Sequence, residues 1–260
     1  MEVHAHSHTA RKKWTHYLWE FLMLFLAVFC GFLAEYQLEH KIEKDRAKEL
    51  AKSFYQELKN DSATAVIKVN NRIKTEKGLR YLAQYFKNGD LSNVPKEFVL
   101  SFEYGINFRT PSLFEPRTVI LDQLKNSGSL RYFKNEKLQQ LIGDLTVAIK
   151  NIYDRQELEG QQRMEFINPL IIKHYDFDFD ARLRENDRSI LVEIDKYEVS
   201  KDSIPFKFKG ADKLDRENIG SVLSFYGSNL ISSTRITFIQ KYIELNKELL
   251  KELRYEYHIE

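Results

Sequence analysis

The stretch "RKKWTHYLWEFLMLFLAVFCGFLAEYQLEH", residues 11–40, contains the most apolar run of the chain. Its centre, residues 21–34, has 14 consecutive residues without a charge. As a helix this centre would extend about 21 Å, which is shorter than the hydrocarbon core of a bilayer at roughly 30 Å. A helix that starts at Trp14 and reaches Ala34 extends about 31 Å. The sequence therefore predicts a transmembrane helix over residues 14–36, in preference to a buried core helix.

Aromatic side chains lie at both ends of this predicted span. Trp14, Tyr17 and Trp19 lie near its beginning, and Tyr36 lies at its end. Tryptophan and tyrosine are enriched at membrane interfaces because their rings are apolar and also carry a hydrogen-bonding group. These four residues are therefore the predicted interface anchors, and the lipid bilayer is the first predicted partner.

The apolar run is predicted to remain attached as a signal anchor. Signal peptidase requires small residues one and three positions before its cut, whereas Phe32 occupies the third position before a cut that follows Ala34. Phe29, directly before Cys30, also disfavours a lipoprotein signal. The sequence therefore favours an uncleaved anchor over a cleaved signal.

Basic residues around the span indicate its orientation. Residues 11–13 are all basic and directly precede the span, whereas the first basic residues after it are Lys41 and Lys44. The positive-inside rule then predicts a cytoplasmic tail, residues 1–13, with residues 37–260 outside the cytoplasm. The opposite orientation stays open, because the 20 residues after the span contain more basic residues than the tail, alternating with Glu and Asp.

Two segments resemble a known group of proteins. They are the His-x-His pattern followed by "RKKWTHYLWEFLMLFLAVFCGFLAEYQLEHKIEKDR", residues 11–46, and "LDQLKNSGSLRYFKNEKLQQLI", residues 121–142. Together they resemble uncharacterised single-pass inner-membrane proteins of Gram-negative bacteria, which carry a domain of unknown function. The resemblance covers the first 48 residues and this middle segment. It implies an inner-membrane anchor followed by a helical domain, periplasmic in the orientation above, and it transfers no catalytic residue.

The chain beyond the span has the periodicity of a helical-bundle domain. Hydrophobic residues make up 43% of the chain, which is sufficient for a sizeable core. Apolar residues recur at helical steps from Leu38 to Leu58, so the membrane helix is predicted to continue as an amphipathic stalk. Residues 60–62 are predicted to break it and to start a second helix that ends near Asn88, forming an antiparallel hairpin. Further helices are predicted over residues 96–105, 116–126, 136–159 after the N-cap Asn135, 161–173 and 216–257.

Residues 174–212 have a different pattern. In "HYDFDFDARL", residues 174–183, aspartates alternate with two phenylalanines, and a period of two is typical of an extended segment. The aspartates also begin like a calcium-binding loop, but Ala181 stands where that loop requires its turn glycine. The predicted fold class is therefore mainly α, with a transmembrane helix, a helical-bundle domain and a short extended or irregular segment near 174–212.

Charge and motifs exclude several classes of function. The chain has 40 basic and 38 acidic residues, so no net field favours a nucleic-acid partner. Cys30 is the only cysteine, and the sequence contains neither a glycine-rich phosphate loop nor a nucleophile elbow. His174 is the only imidazole in the middle of the chain. The sequence therefore predicts a protein that is not an enzyme and that needs no cofactor.

Three histidines form a weak candidate for a metal site. His4, His6 and His8 alternate near the N-terminus, so an extended chain would place their rings on one side, where they could chelate a divalent ion. The favoured interpretation is a short polar tail that happens to carry histidines.

Two features of the span are candidates for contact with another membrane helix. Small residues at Ala27, Gly31 and Ala34 lie on one face and permit close approach, although small residues are common in membrane helices. Glu20 is a carboxylate near the interface and is a candidate for a contact with a basic partner. Its neighbours His16 and Lys13, one and two turns earlier, favour a carboxylate that is satisfied locally over a contact with a partner helix or a role in a proton path.

The sequence thus predicts a membrane-anchored accessory or scaffold protein that acts through helix-mediated protein contacts. Its partner would be a membrane protein or a second copy of the chain, bound through the transmembrane helix. The alternative is an extracytoplasmic ligand-binding or sensor-like helical module, and an enzyme of unknown class is a distant third.

Overall fold

The chain is described by a computed structural model that covers residues 14–184 and 189–259. Regular structure in these residues is helical, and they contain no strand. This confirms the predicted mainly α fold class, with a long apolar N-terminal helix followed by a helical domain. The chain divides into two compact units, the first ending at Leu50 and the second beginning at Ala51.

The described residues contain nine α-helices. They are α1 (Trp14–Asn88), α2 (Lys96–Phe102), α3 (Val119–Asn126), α4 (Glu136–Gln162), α5 (Asn168–His174), α6 (Phe177–Leu183), α7 (Ile190–Val199), α8 (Arg216–Phe225) and α9 (Gln240–Tyr257). Four π-helical segments accompany them, at Glu103–Asn107, Arg163–Ile167, Tyr226–Ser232 and Thr234–Ile239. Short 3-10 turns lie at Thr110–Ser112, Ser129–Tyr132 and Ala211–Lys213.

Helix α1 has 75 residues, so the predicted break at residues 60–62 is wrong. The polar side chains that suggested an N-cap make tertiary contacts instead. Asp61 is buried and accepts a hydrogen bond from the backbone N–H of Arg117 (2.8 Å). Ser62 Oγ lies 3.0 Å from Oδ1 of Asn246. A helix interior accommodates Asp and Ser when their side chains find such partners outside the helix.

Within the second unit, α1 packs against the C-terminal helical stretch rather than forming the predicted hairpin. Asn246 Nδ2 of α9 donates to the carbonyl of Leu58 (3.1 Å). Farther along, Arg235 donates two hydrogen bonds to the carboxylate of Glu76 (2.6 and 2.8 Å). Residue numbers fall along one element as they rise along the other, so the two run antiparallel. The antiparallel partner of α1 is therefore the end of the chain.

An aromatic cluster forms part of the core beside α1. Phe86 of α1 lies against Phe98 of α2 and against Phe208 from the irregular segment before α8. Phe98 and Phe102 of α2 both lie against Phe206 and Phe208. Their ring centroids lie 5.6–6.4 Å apart, within the range in which aromatic pairs attract. Because all five rings are buried, this cluster holds the irregular segment against the helices.

Helix α3 begins three residues later than predicted because a side chain of α1 defines its N-terminus. Glu57 is nearly buried and accepts hydrogen bonds from the backbone N–H groups of Ile120 (3.0 Å) and Leu121 (3.3 Å). The first N–H groups of a helix have no partner within it, and a carboxylate there also complements the helix dipole. Pro116 therefore precedes the helix instead of occupying its first turn.

The segment at 174–212 is helical where the alternation indicated an extended chain, and irregular over residues 200–210. In α6, Phe179 and Leu183 are buried, whereas Phe177 is 52% exposed. The two buried residues are four positions apart, which is the helical step. The prediction of an extended piece around residues 176–180 is therefore wrong, and an irregular stretch does occur farther along.

Two glycines let α1 approach the π-helical segment Glu103–Asn107 closely. A Cβ atom added to Gly78 would lie 2.8 Å from the carbonyl oxygen of Ser101, and one added to Gly105 would lie 3.0 Å from the backbone nitrogen of Leu79. Backbone atoms cannot move aside as the end of a flexible side chain can. Glycine is therefore required at this crossing.

We expect Gly78→Ala to lower the free energy of unfolding by about 1–3 kcal/mol, because the added methyl group overpacks the crossing. Gly143 of α4 is the matched control, since a Cβ there meets nothing within 4 Å. Gly143→Ala should stabilise the protein by about 0.5–1 kcal/mol through helix propensity. Thermal unfolding of the full chain in mild detergent, monitored by circular dichroism, measures both changes. Equal shifts in the two variants would contradict the close approach.

Candidate functional site

The N-terminal part of α1 exposes an apolar surface along its whole length. Fifteen large apolar or aromatic side chains from Trp14 to Tyr36 are 39–78% exposed. A fully exposed Leu or Phe forgoes about 1.5–3 kcal/mol relative to burial, so exposure of this surface to water costs on the order of 10 kcal/mol. That is comparable with the stability of a whole domain, about 5–15 kcal/mol. Among the described residues, α1 is the one helix long and apolar enough to cross a membrane.

The predicted interface anchors all lie exposed on α1. Trp14, Tyr17 and Trp19 are 78%, 55% and 64% exposed, and Tyr36 is 60% exposed. Tyr36 also packs edge-on against His40, with ring centroids 4.2 Å apart. The four anchors are therefore free of burial by other parts of the described chain.

Glu20 makes the local contact that its spacing suggested. Its Oε1 atom lies 3.0 Å from Nε2 of His16, one helical turn earlier. The second suggested neighbour, Lys13, lies outside the described residues. The contact with His16 favours a locally satisfied carboxylate, and it leaves both side chains about half exposed for a further partner.

The small-residue face of the span is open. Gly31 is exposed, and a Cβ atom added to it would meet nothing within 4 Å. Ala27 and Ala34 are exposed as well and lie one turn before and one turn after Gly31. Within the first unit, no side chain blocks the approach of a second helix to the backbone at Gly31.

The predicted metal ligands His4, His6 and His8 lie outside the described residues. Among the residues that are described, no group of three or more His, Cys, Asp or Glu side chains is placed to hold a metal ion.

A groove in the second unit, here called the cationic groove, lies between α1 and the stretch formed by α8 and the π-helical segment after it. It consists of two cavities of about 290 and 550 Å³ that share Lys87 and Ser224 as lining residues. Arg80, Gln84 and Lys87 line it from one face of α1, at steps of four and three residues. Ser224 and Ser228 line it from the other side.

The cationic groove contains hydrogen-bond donors that the described part of the chain does not use. Arg80 and Lys87 are exposed, and neither makes a hydrogen bond or an ion pair with any described residue. Glu76 also lines the groove, but its carboxylate is occupied by Arg235 (2.6 and 2.8 Å). Glu217 contributes one acidic group at the other end. The groove therefore has a positive balance at the end where Arg80 and Lys87 lie.

A buried arginine organises the interior next to this groove. Arg72 of α1 is fully buried and donates to both carboxylate oxygens of Glu159 of α4 (2.8 and 3.0 Å). It also donates to the carbonyls of Ser112 (3.0 Å) and Ile231 (3.3 Å), and to the side chain of Gln156 (3.3 Å). These contacts use its planar set of donors fully, so Arg72 has a structural role and no donor left for a ligand.

Arginines also satisfy carbonyl groups at the π-helical segments. Arg163 donates to the carbonyls of Ile106 (2.6 Å) and Asn107 (2.9 Å), where one π-helical segment ends. Arg72 does the same at Ile231 in another segment. A π-helical turn interrupts the regular series of backbone hydrogen bonds of an α-helix and leaves carbonyl groups without a backbone donor. The guanidinium groups donate hydrogen bonds to such carbonyls. The π-helical segments are thus fixed by side chains from other elements.

The sequence pattern did not identify the cationic groove. Arg80 and Lys87 resemble any solvated lysine or arginine on a helix, and only the approach of α8 turns their face into a groove. Arg72 was detectable in principle, because it lies seven residues after Ala65 and seven before Leu79, both of which are buried. Two helical turns separate such positions, so they share one face.

No protein family matches this chain, and neither a curated protein nor a solved structure matches it.

Proposed function

We propose that this protein is a non-enzymatic, single-pass membrane protein whose N-terminal helix anchors a helical scaffold and contacts a partner helix. The observation that carries the proposal is the exposed apolar surface of α1 from Trp14 to Tyr36. A bilayer removes such a surface from water, and a partner helix can cover its small-residue face. The proposed location is the inner membrane of a Gram-negative bacterium, with the N-terminus in the cytoplasm and the helical unit in the periplasm.

Charged residues in the centre of the anchor should prevent insertion. We expect Leu24→Arg combined with Val28→Arg to move the protein out of the membrane fraction that resists alkaline extraction, because each arginine near the centre costs about 2.5–3.5 kcal/mol. The matched control is Val66→Arg with Ile67→Arg, which adds the same charges at exposed apolar positions of the second unit. Retention of the first variant in the resistant fraction would contradict the proposed anchor.

The orientation of the protein in the membrane can be measured by labelling a single cysteine placed in the second unit. With Cys30→Ser as background, Glu97→Cys places a thiol at an exposed position of α2. A maleimide that cannot cross the inner membrane should label it in spheroplasts. Labelling only after lysis would place the helical unit in the cytoplasm.

The partner contact is tested by affinity purification from native membranes in mild detergent, with a C-terminal tag, mass spectrometry and light scattering. We expect to recover a stoichiometric membrane protein or a second copy of the chain. Gly31→Leu should reduce the affinity for this partner roughly tenfold, because it prevents close packing of the two helices and a loss of about 1.4 kcal/mol corresponds to a factor of ten. Glu20→Gln tests the polar contact in parallel. Because a Cβ at Gly31 meets no described atom of this chain within 4 Å, such a loss would be intermolecular.

Leu33→Phe is the control for added bulk, since Leu33 lies two residues from Gly31 and therefore on nearly the opposite face of the helix. It should leave the complex intact. Recovery of a monomer without partner from wild-type membranes, or an equal loss in both variants, would overturn a specific contact through the small-residue face.

The second candidate function is a ligand-binding module, and the cationic groove is the observation that favours it. Unpaired cations and serine hydroxyls line this groove, so a compact anion with carboxylate or phosphate groups suits its chemistry. Such a module would make the anchor a means of holding the binding unit at the membrane.

We expect inorganic phosphate or malonate to bind the full chain in isothermal titration at constant ionic strength. Comparing the two ions separates phosphate from carboxylate recognition. Arg80→Gln with Lys87→Gln should weaken binding roughly tenfold or more, because a hydrogen bond to a charged group contributes about 1.5–3 kcal/mol. Lys77→Gln, an exposed cation of α1 outside the groove, should leave binding unchanged. Equal loss in both variants would mean non-specific charge attraction.

A further inference from the structure

In the second unit, a tyrosine hydroxyl lies between two carboxyl groups. Oη of Tyr175 contacts Oε1 of Glu103 and also Oδ1 of Asp180, each within hydrogen-bonding distance. Glu103 and Tyr175 are fully buried. A phenol carries one proton and can donate it to only one of the two carboxyl groups. The other contact is favourable only if that carboxyl group carries a proton of its own and donates it to Oη.

The surroundings of Glu103 also favour a bound proton. Its second oxygen accepts a hydrogen bond from Nδ2 of Asn107 (2.8 Å), which is neutral. No cation among the described residues forms an ion pair with Glu103. Burial raises the pKa of Glu103 to about 7, and the nearby charge of Asp180 adds to the increase. The hydrogen bonds from Tyr175 and Asn107 oppose this increase only in part.

Asp180 has a mixed environment. Burial raises its pKa, as does the charge of Asp176, while the hydrogen bond from Tyr175 and the charge of Arg184 lower it. Asp176 is itself compensated, because it accepts hydrogen bonds from Arg182 (2.7 Å) and from the backbone N–H of Lys207 (3.0 Å). Lys209 adds positive charge on the Asp176 side. The positive charges therefore lie around the two aspartates, and none is paired with Glu103.

We propose that Glu103, Tyr175 and Asp180 share one extra proton, and that this proton-sharing cluster holds helix α6 against the π-helical segment Glu103–Asn107. Loss of the proton leaves two carboxylates competing for one hydroxyl proton, so one of the contacts becomes repulsive. Helix α6 has 7 residues, too few to be stable without tertiary contacts. Deprotonation should therefore loosen α6, and the cluster acts as a pH-sensitive latch.

The direction of the pH effect follows from proton binding. Because the folded protein binds this proton more tightly than the unfolded chain, its stabilisation is complete below the usual pKa of a glutamate, about 4.3. The stabilisation decreases as the pH rises and is lost once the pH exceeds about 7. The latch is thus closed in mildly acidic conditions and open in mildly alkaline ones.

The test compares the full chain in detergent with Glu103→Gln, which keeps the shape of the side chain and is neutral at every pH. From about pH 5 to about pH 8 the folding equilibrium constant of the wild type should fall on the order of a hundredfold more than that of the variant. Asp180→Asn should also flatten the dependence, since it removes the second carboxylate. Glu97→Gln, an exposed carboxyl on α2, should behave like the wild type.

Hydrogen exchange, corrected for the intrinsic effect of pH, locates the change. Amides of residues 177–183 should lose protection at alkaline pH in the wild type and keep it in Glu103→Gln. A pH dependence shared by wild type and both cluster variants would overturn the shared proton. Unchanged protection of α6 in the wild type would overturn the latch, even if the overall stability varied with pH.

Discussion

The guanidinium of Arg72 has no exposed surface, and a charge in such a place is tolerated only when all its donors find acceptors. Its four partner residues come from three parts of the chain that are far apart in sequence: Glu159 and Gln156 of α4, the turn at Ser112, and Ile231 in a π-helical segment. Removal of the Glu159 carboxylate would leave the buried charge unpaired, at a cost of about 3–5 kcal/mol. The position of each element around α1 is therefore coupled to the others through this side chain.

Other buried polar side chains of α1 extend the same principle. Glu57 accepts from the first N–H groups of α3, and Asp61 accepts from Arg117 and from the hydroxyl of Tyr242. Hydrophobic packing is non-directional and tolerates small shifts. Hydrogen bonds to buried carboxylates are directional and lose strength steeply with misalignment. In the second unit, the apolar residues supply most of the driving force for folding. The buried polar residues of α1 specify the positions at which α3, α4 and α9 lie against it.

Local signals were readable from the sequence, whereas signals that depend on distant partners were not. Asn135 was predicted as the N-cap of a helix, and its side chain does accept from the backbone N–H of Leu138 (3.1 Å). The start of α3 was misplaced because its cap comes from Glu57, more than sixty residues earlier. Alternation around Phe177 and Phe179 indicated an extended chain, but burial follows the helical step from Phe179 to Leu183.

The same distinction applies to the candidate sites. The apolar span needs no tertiary information, because length and composition alone define it. Lys87 and Ser224 both line the cationic groove, and Glu103 and Tyr175 belong to the proton-sharing cluster. These pairs are separated by 137 and 72 residues, so only the folded chain brings them together. Glu103 directly follows α2 and lies four residues after the buried Val99, so a carboxylate that continues the buried positions Phe98, Val99 and Phe102 was the available signal.

Helix α1 reverses the usual distribution of polar and apolar side chains along its length. Near its start the large apolar side chains are exposed, whereas in the second unit Arg72 and Asp61 are buried. Each half is stable only in a particular surrounding, since exposed apolar surface is costly in water and buried charge is costly without partners. The protein itself supplies the partners of Arg72 and Asp61. The exposed half is apolar enough to cross a membrane, and in the proposed function the bilayer and a partner helix cover it.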